Sequence, residues 1–376
     1  MLKVLSRIPK YKAFRVLGYP RILPMSLTLS LLYRCNSRCA TCDVYKKPSQ
    51  DLTLEEWTRI FKSIGKNLYW VTMSGGEPFL RKEIADIAAN LYQYCEPNII
   101  NIPTNGLLCD TIERNVKKIL ESCPGVNLVI NLSLDGVGEH HDRIRGVKGN
   151  FERLMKTYRL LKAIKHPNLT VGLHTVISKF NVDRMPEIVE FVRNVGPDSY
   201  ITEIAENRVE LGSTELDITP TREQYGRAVA SLLHNFSVKD MKGVAKVAQA
   251  FRHQYYQLTM RWLEERRQII PCYAGFASAQ IAPDGDIWMC CVEAIPIGNL
   301  RENDYDFGRV WRSERAEQVR QRIRKGLCEC PLANVSYVNM LHNVRSLIKV
   351  GKNYFGLEEP VKIGVKERPR LLKHEV

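Results

Sequence analysis

Residues 26–42, SLTLSLLYRCNSRCATC, join a short β-rich run directly to three closely spaced cysteines. Cys35, Cys39 and Cys42 follow the pattern Cys-x3-Cys-x2-Cys. Three thiolates in one short loop can converge on one iron–sulfur cluster, and a four-iron cluster would keep one iron free for a substrate or cofactor. The alternatives are a buried trio or a zinc site, although structural zinc sites usually use paired Cys-x2-Cys knuckles and four protein ligands.

On both sides of this loop, β-rich runs alternate with segments of helical periodicity. The β-rich runs are 26–32, 69–74, 98–103, 127–133, 169–177 and 199–203. The helical segments between them include 54–64, 81–94, 111–121, 151–165 and 185–195. This alternation predicts parallel strands joined by crossover helices, in an incomplete barrel or an open α/β sheet. In either fold the functional residues belong at the carboxyl ends of the strands.

The composition is that of an ordinary globular protein of 376 residues, with 44% hydrophobic and 26% charged residues. No apolar run approaches the ~18 residues that span a bilayer, and no secretory signal is present. Eleven cysteines without an export signal favour metal ligation over disulfides. Cys95, Cys109 and Cys123 are isolated and are interpreted as small buried hydrophobic residues.

The net charge of +14 is concentrated at the two ends of the chain. Residues 1–25 hold six basic and no acidic residues, and residues 336–376 hold eight basic and four acidic residues. Both ends interleave these charges with apolar residues, so they are predicted to pack on the barrel or to lie on an anionic membrane surface. Nucleic acid is the least favoured partner. We expect a cytoplasmic protein, or one peripheral to a membrane.

A second group of cysteines occurs at Cys272, Cys290, Cys291, Cys328 and Cys330. The pattern is Cys272-x12-Gly285-x4-Cys290, and residues 277–292 predict a β-hairpin with its turn at 283–286. Later come Cys328-Glu-Cys330. A structural zinc site formed by Cys272, Cys290, Cys328 and Cys330 is an alternative to an iron–sulfur cluster.

Four motifs in the first half stand at the ends of successive predicted strands. They are Cys35–Cys42, Met73-Ser-Gly-Gly-Glu-Pro78, Pro103-Thr-Asn-Gly106, and Ser133-Leu-Asp-Gly136 followed by His141-Asp-x-Ile-Arg-Gly146. In this order they resemble the motifs of the radical S-adenosylmethionine (SAM) superfamily. The resemblance implies a partial (β/α)6 TIM-like barrel with a C-terminal β-hairpin and helix domain. It also implies a [4Fe-4S] cluster, SAM, and a reductant such as flavodoxin or ferredoxin.

The resemblance assigns roles to individual residues. Cys35, Cys39 and Cys42 would hold the cluster and serve catalysis, and Gly75, Gly76 and Glu77 would hold the methionyl amine of SAM. The ribose and the carboxylate would lie near Thr104, Asn105, Ser133 and Asp135. The family commonly has an aromatic residue before the third cysteine, but this chain has Thr41, so Tyr45 is predicted to supply part of the adenine contact.

The second cysteine group resembles the SPASM and Twitch auxiliary-cluster modules of the same superfamily. Five cysteines are too few for a full SPASM module, and the Cys-x-Cys ending departs from the Cys-x2-Cys of Twitch. One auxiliary [4Fe-4S] cluster on Cys272, Cys290, Cys328 and Cys330 is therefore expected. Cys291 is either an alternative ligand or a neighbour on the other face of the hairpin.

Five segments are expected: a basic arm (1–25), a radical SAM core (26–218), a helical connector (219–270), an auxiliary-cluster domain (271–335) and a basic tail (336–376). The expected activity is reductive cleavage of SAM to a 5′-deoxyadenosyl radical, which abstracts hydrogen from a substrate for oxidation or bond formation in biosynthesis. A small metabolite, a cofactor precursor or a lipid is the preferred substrate. A peptide or RNA is the alternative, and a ribosomal peptide is disfavoured because only 34 residues precede Cys35. A non-catalytic iron–sulfur or zinc protein is the remaining alternative.

Two other groups of polar residues follow predicted strands. Glu203, Glu206 and Arg208 follow the sixth strand and could bind substrate or form an ion pair at the rim. His140 and His141 are predicted to have a structural role in a loop and not to bind a metal.

Overall fold

The computed structural model describes residues 6–238 and 243–357. Within these residues the strands form one nine-stranded sheet in the order β6-β5-β4-β3-β2-β1-β7-β8-β9. The strands are β1 (Ser26–Ser30), β2 (Trp70–Ser74), β3 (Ile99–Thr104), β4 (Asn127–Ser133), β5 (Leu169–Ile177), β6 (Ser199–Ile204), β7 (Ser278–Ile281), β8 (Asp286–Trp288) and β9 (Pro296–Asn299). Strands β1 to β6 are parallel to their neighbours. The predicted α/β fold with six parallel strands is confirmed.

Helices follow the strands as crossover connections require. In the core they are α1 (Ile8–Leu17), α2 (Leu54–Ile64), α3 (Ile84–Cys95), α4 (Cys109–Ser122), α5 (Glu139–Arg145), α6 (Asn150–Ala163) and α7 (Met185–Val195). Beyond the core they are α8 (Arg222–Asn235), α9 (Gly243–Glu265), α10 (Phe307–Trp311), α11 (Glu314–Arg324), α12 (Ala333–Leu341) and α13 (Val344–Tyr354).

Helix α2 illustrates why these segments fold as their sequence predicts. Thr53 accepts a hydrogen bond from the backbone of Glu56, and the Glu56 carboxylate accepts one from the backbone of Thr53. This reciprocal capping satisfies backbone donors that have no partner within the helix. The buried residues Trp57, Ile60, Phe61 and Ile64 recur every three or four positions, so they form one apolar face.

The predicted β-hairpin of the auxiliary region is present as β7 and β8, which pair antiparallel. Gly285 lies in its turn with a φ of 94°, a conformation that favours glycine. Strand β7 also pairs parallel with β1, from Ser26 opposite Ser278 to Leu29 opposite Ile281. The hairpin therefore extends the barrel sheet on the far side of β1, which the sequence pattern did not predict.

Both basic ends contain packed helices in the part that the structure describes. Tyr11 and Phe14 of α1 are buried, and their rings contact His342 and Phe276, so α1 packs against the auxiliary region and the residue that follows α12. Helix α12 runs through the predicted boundary between residues 335 and 336, and α13 packs along α9. Residues 336–354 are therefore mostly helical and do not form an extended tail. Residues 1–5 and 358–376, which carry some of the predicted basic charge, lie outside the described residues.

None of the helices in residues 6–238 and 243–357 combines the length and the apolar character needed to cross a membrane.

Candidate functional site

A cavity of about 330 Å³ lies at the carboxyl ends of the parallel strands. Cys35, Cys39 and Cys42 line it together. The predicted SAM-binding residues in the same wall are Gly75, Gly76, Glu77, Thr104, Asn105 and Ser133. Asp135 is buried and does not line the cavity. The structure therefore brings together all the predicted residues of this site except Asp135.

Gly75 and Gly76 allow the end of β2 to approach the backbone that leads into the cysteine loop. The Gly76 N–H donates to the Leu32 carbonyl at 2.8 Å, and the Glu77 N–H donates to the Arg34 carbonyl at 3.0 Å. A Cβ atom on Gly75 would lie 2.3 Å from the Leu32 oxygen, and one on Gly76 would lie 2.2 Å from the Arg34 oxygen. The two glycines were predicted to let the backbone approach a ligand. In the structure they are needed because the end of β2 lies against the backbone that leads into the cysteine loop.

The Glu77 carboxylate is fixed from three sides. Oε1 accepts from the Thr104 hydroxyl at 2.8 Å and from the Phe79 N–H at 3.2 Å, and Oε2 accepts from the Asn105 N–H at 2.8 Å. Burial raises the pKa of Glu77, while these hydrogen bonds oppose the rise. Because a carboxylate has about four acceptor positions, Glu77 can still accept from an ammonium group. Thr104 is therefore a partner of Glu77 as well as part of the wall.

Arg145 places a buried cation beside the cysteines. Its Nη1 donates to Asp135 Oδ2 at 3.0 Å, and Asp135 Oδ1 also accepts from the Val176 N–H at 3.0 Å. Burial lowers the pKa of Arg145, but Cys39 and Asp135 outweigh burial and raise it. Arg145 lines the cavity, whereas Asp135 does not and holds Arg145 through this ion pair.

The second cysteine group forms a separate site next to this cavity. Cys272, Cys328 and Cys330 line a space of about 40 Å³. Cys290 lines the large cavity, but it is also close to Cys272 and Cys328. In addition to burial, Cys272 raises the pKa of Cys290, and Cys290 raises the pKa of Cys328. Burial, followed by the neighbouring Cys272, raises the pKa of Cys328 to about 12, and Cys290 contributes to that rise. The four predicted auxiliary ligands are thus neighbours.

Two sequence families match the two regions that contain these sites. The radical SAM superfamily model matches residues 29–192, and the SPASM model, which describes an iron–sulfur cluster-binding domain, matches residues 272–331. This chain belongs to the radical SAM superfamily. Its auxiliary region is a SPASM domain by the same comparison.

Relatives of this superfamily member include a maturation protein and a peptide cyclase. The sporulation killing factor maturation protein SkfB of Bacillus subtilis is 26% identical over 75% of this chain and 63% of the relative. The PqqA peptide cyclase of Granulibacter bethesdensis is 30% identical over 56% of this chain and 54% of the relative. The chain thus spans somewhat more than half the length of these curated relatives.

The fold also matches solved radical SAM structures. The structure of Streptococcus suis SuiB bound to S-adenosylmethionine has a TM-score of 0.58 at 18% identity, covering 82% of this chain and 71% of that chain. The structure of SuiB bound to its precursor peptide SuiA has a TM-score of 0.58 at 18% identity, covering 84% of this chain and 69% of that chain.

The cofactors of the matched domains are [4Fe-4S] clusters and SAM, and the residues present fit them. The large cavity offers three thiols, one fewer than the irons of a four-iron cluster, so one iron can bind SAM. Burial raises the pKa of Cys42 to about 12 and also raises the pKa of Cys35 and Cys39. Ligation must therefore displace protons, and Arg145 can offset the resulting negative charge.

No three His, Cys, Asp or Glu side chains converge on a point that would hold a single metal ion in the described ranges 6–238 and 243–357. The buried thiols Cys95, Cys109 and Cys123 are 1%, 8% and 2% exposed and line neither site.

Tyr45, from which an adenine contact was predicted, lies outside the cavity wall. The Arg38 guanidinium covers the Tyr45 ring at 4.1 Å from its centre, and Tyr45 does not line the cavity, whereas Thr41 and Val44 do. The two histidines make hydrogen-bond contacts, but they lie in helix α5 and not in a loop as predicted. His141 Nδ1 accepts from the Asp135 N–H at 3.1 Å, and His140 Nε2 lies 3.0 Å from the Phe180 carbonyl.

Between the two cysteine sites lies a group of buried charges. Arg208 Nε donates to Glu206 Oε1 at 3.0 Å, and Arg208 Nη2 lies 3.6 Å from Glu203 Oε1. Burial raises the pKa of Glu206 to about 7, although Arg208 opposes the rise. Because Glu203 and Arg208 line the cavity, the ion pair is internal and not at an exposed rim.

Cys291 also belongs to this group of charges. Burial raises the pKa of Cys291. Glu210 and Cys290 raise it further, whereas Arg208 opposes the rise. Gln280 donates to Ser30 at 2.8 Å and also hydrogen-bonds Glu210. The sequence did not predict Arg145, Glu210 or Gln280 as site residues. Arg145 was visible in the quoted His-Asp-x-Ile-Arg-Gly motif, whereas Glu210 and Gln280 meet only through the fold.

Proposed function

We propose that this chain is a radical SAM enzyme that modifies a peptide. The cavity in which three cysteines meet Gly75–Glu77 and Arg145 carries the SAM chemistry of the proposal. The substrate class is supported by the name of the PqqA peptide cyclase, by the SuiB complex with a precursor peptide, and by SkfB, which is named as a maturation protein. The SkfB match extends over 75% of this chain, which is more than the radical SAM core alone.

This substrate class replaces the small metabolite, cofactor precursor or lipid that the sequence favoured. Recognition of a leader by a domain before Cys35 is only one way of binding a peptide, and direct entry of the peptide into the barrel does not depend on it. The comparisons favour the alternative that was ranked second.

In this proposal Cys35, Cys39 and Cys42 ligate the cluster. The Glu77 carboxylate accepts from the methionyl ammonium of SAM, and Thr104 and the Asn105 N–H hold Glu77 in position for that contact. Arg145 binds the methionyl carboxylate through a charge-assisted hydrogen bond, and Ser133 adds a hydroxyl in the same wall.

Bound there, the cluster would supply the electron for reductive cleavage of SAM to a 5′-deoxyadenosyl radical that abstracts a substrate hydrogen. The protein itself contributes position and exclusion of water. Arg208 and Glu203, which line the cavity, would present charged groups to the substrate, and Glu206 would hold Arg208 in position.

Cys272, Cys290, Cys328 and Cys330 would ligate one auxiliary [4Fe-4S] cluster. Because Cys290 also lines the central cavity, this cluster could accept the electron left on the substrate radical, which would make the overall reaction an oxidation. Cys291 faces the group of buried charges and would not be a ligand.

The test uses the anaerobically reconstituted full chain with SAM and a chemical reductant. Iron content should approach about eight per chain, as two four-iron clusters require, and 5′-deoxyadenosine should form. A low-mass fraction of cell extract from the source organism should increase its formation. Prior digestion of that fraction with a protease, subsequently inactivated, should abolish the increase.

The other outcomes each contradict part of the proposal. An increase that survives protease would indicate a small metabolite or lipid, and an increase lost after ribonuclease would indicate RNA. Zinc without iron, and no 5′-deoxyadenosine, would contradict the radical SAM activity itself.

Two partners remain predictions. A flavodoxin or ferredoxin would supply the electron in the cell. Association with an anionic membrane would use the exposed side chains of Val16, Leu17 and Tyr19, which are 73%, 76% and 75% exposed beside the basic Arg15 and Arg21. Vesicle flotation of wild type and Leu17→Asp tests it, because Leu17 can be changed without exposing the buried face of α1.

A further inference from the structure

The interior of the barrel remains open below the SAM site. Interiors of closed (β/α)8 barrels are filled by layers of bulky branched side chains. Here the residues that face inward in the middle layer are Gln280, Thr28, Thr72 and Asn101, on four neighbouring strands in register. The layer below contains Ser278 and Ser26 beside Trp70 and Ile99. Small polar residues on β1 and β7 therefore leave the interior unfilled.

Below the middle layer lies a second cavity, here called the lower chamber, of about 380 Å³. Its wall shares Ser26, Thr28, Trp70, Thr72, Ile201 and Tyr337 with the wall of the upper cavity. The two spaces therefore adjoin within the barrel. The volume lies in the range of about 300–1,000 Å³ that is typical of ligand sites.

The lower chamber is lined mainly by apolar side chains. The starts of the strands contribute Met25, Tyr69 and Ile99, and helices α9 and α12 contribute Phe251, Val338 and Leu341. A buried cavity of about 150 Å³ lined by such residues can hold a benzene molecule. The lower chamber is more than twice as large, so it can accommodate one bulky aliphatic or aromatic side chain together with adjoining backbone.

The middle of the barrel is polar, in contrast to the chamber. Asn131 donates to Asn101 at 2.7 Å, and Asn101 and Trp70 donate to the Thr72 hydroxyl at 3.4 and 3.1 Å. Asn131 Oδ1 and Ser278 Oγ are buried and have no hydrogen-bond partner among the described residues. Asn131 is 4% exposed and Ser278 is 8% exposed, and both line the upper cavity. Buried polar groups of this kind are normally satisfied.

We propose that the lower chamber binds a bulky apolar side chain of the substrate peptide, while the polar middle layer binds the peptide amides beside it. A hydrocarbon chain would leave Asn131 and Ser278 unsatisfied, whereas a peptide residue provides both an apolar group and amide donors and acceptors. The proposal rests on the peptide substrate class proposed above and adds a requirement for an apolar residue next to the reacting one.

The experiment measures binding of small probes to the reconstituted full chain by saturation-transfer NMR under anaerobic conditions. The probes are N-acetyl-phenylalaninamide, N-acetyl-glutaminamide and the isoprenoid alcohol farnesol. We expect the phenylalanine derivative to bind at least tenfold more tightly than the glutamine derivative, which has the same amides but a polar side chain.

Two variants place this binding in the chamber. Ile99→Asn makes the wall of the chamber polar. Ala248→Trp places a large ring in the chamber, because Ala248 of helix α9 lines it. Each should weaken binding of the phenylalanine derivative at least tenfold. The matched control is Leu169→Asn, because Leu169 is half-buried at the start of β5 and lines neither cavity.

Equal binding of the two amides, absent binding of the phenylalanine derivative to wild type, or equal loss in Leu169→Asn would overturn the proposal. Tight binding of farnesol without the amide would also overturn it, in favour of a lipid. Iron content and 5′-deoxyadenosine formation of the wild type are recorded in parallel. If the wild type cleaves SAM but shows no selective binding, only the chamber proposal fails, whereas loss of SAM cleavage itself contradicts the proposed function.

Discussion

The cysteines of the proposed SAM site all lie in residues 35–42, whereas those of the proposed auxiliary site come from three segments between residues 272 and 330. Backbone hydrogen bonds from Gly76 and Glu77 hold the first loop against β2. Packing between distant elements holds the second site. Arg15 of α1 donates to the Cys272 carbonyl at 2.9 Å, and Asn339 of α12 accepts from the Tyr273 N–H at 2.7 Å. The first site is therefore a local structure, and the second depends on both ends of the described chain.

This difference predicts that the two clusters can be lost separately. Cys39→Ala should abolish SAM cleavage and remove about half of the iron, because a three-ligand cluster that loses a thiolate has no replacement nearby. Cys109→Ala is the matched control, since Cys109 is a buried cysteine that lines neither site. Iron analysis and quantification of 5′-deoxyadenosine test this. Residual cleavage close to wild type would contradict the assignment of Cys39.

At the second site, loss of the cluster should leave SAM cleavage in place. Cys272→Ala should also remove about half of the iron, but SAM should still bind and 5′-deoxyadenosine should still form at a basal rate. Product formation with substrate should be lost. Calorimetry with SAM and iron analysis measure the two effects on the same sample. Loss of SAM binding would indicate that the two sites are not structurally independent.

Within the SAM site, the contribution of Arg145 can be separated from that of the cluster. Arg145→Gln should weaken SAM binding by about tenfold to a hundredfold, because a charge-assisted hydrogen bond to the methionyl carboxylate contributes about 1.5–3 kcal/mol. Iron content should change little. Arg143→Gln is the control, because the Arg143 side chain is 65% exposed two positions away. Equal affinities of the two variants would show that Arg145 does not contact SAM.

The smallest effect concerns the contact between the core and the auxiliary region. Glu56 of α2 accepts from Arg301, which follows β9, at 2.6 and 3.1 Å and from Tyr305 at 2.9 Å. The hydrogen bond from Arg301 lowers the pKa of Glu56 from 4.5 to about 2. Since the folded-state pKa is below the unfolded value, this stabilisation is present above pH 4.5 and is lost as the pH falls towards 2.

Glu56→Gln should therefore lower the free energy of unfolding by about 1 kcal/mol at neutral pH, a value reduced by partial solvent screening. The difference from wild type should shrink as the pH falls below the unfolded pKa. Urea unfolding midpoints at several pH values measure it. Glu55→Gln controls for the change of charge at an exposed neighbouring position, and a pH-independent difference would contradict the role of the ion pair.

The parts of the molecule that the sequence predicted well are those encoded by short segments. The six parallel strands and the Cys35–Cys42 loop follow from local periodicity and spacing. The sequence shows Asp135 as an acidic residue after a strand, but not that it pairs with Arg145 and lies outside the cavity wall. It likewise does not show that Arg38 covers the Tyr45 ring. Glu210 and Gln280 are far apart in the chain, so no spacing could reveal that they meet.

The parallel pairing of β1 with β7 has a consequence for synthesis of the chain. Strand β1 leads into the cysteine loop, and one of its edges pairs with residues 278–281. During translation that edge stays open while most of the core has already emerged, and open strand edges invite pairing with other chains. A core excised before β7 would keep this exposed edge permanently. The auxiliary region therefore also protects the first strand from aggregation, whatever its cluster contributes to catalysis.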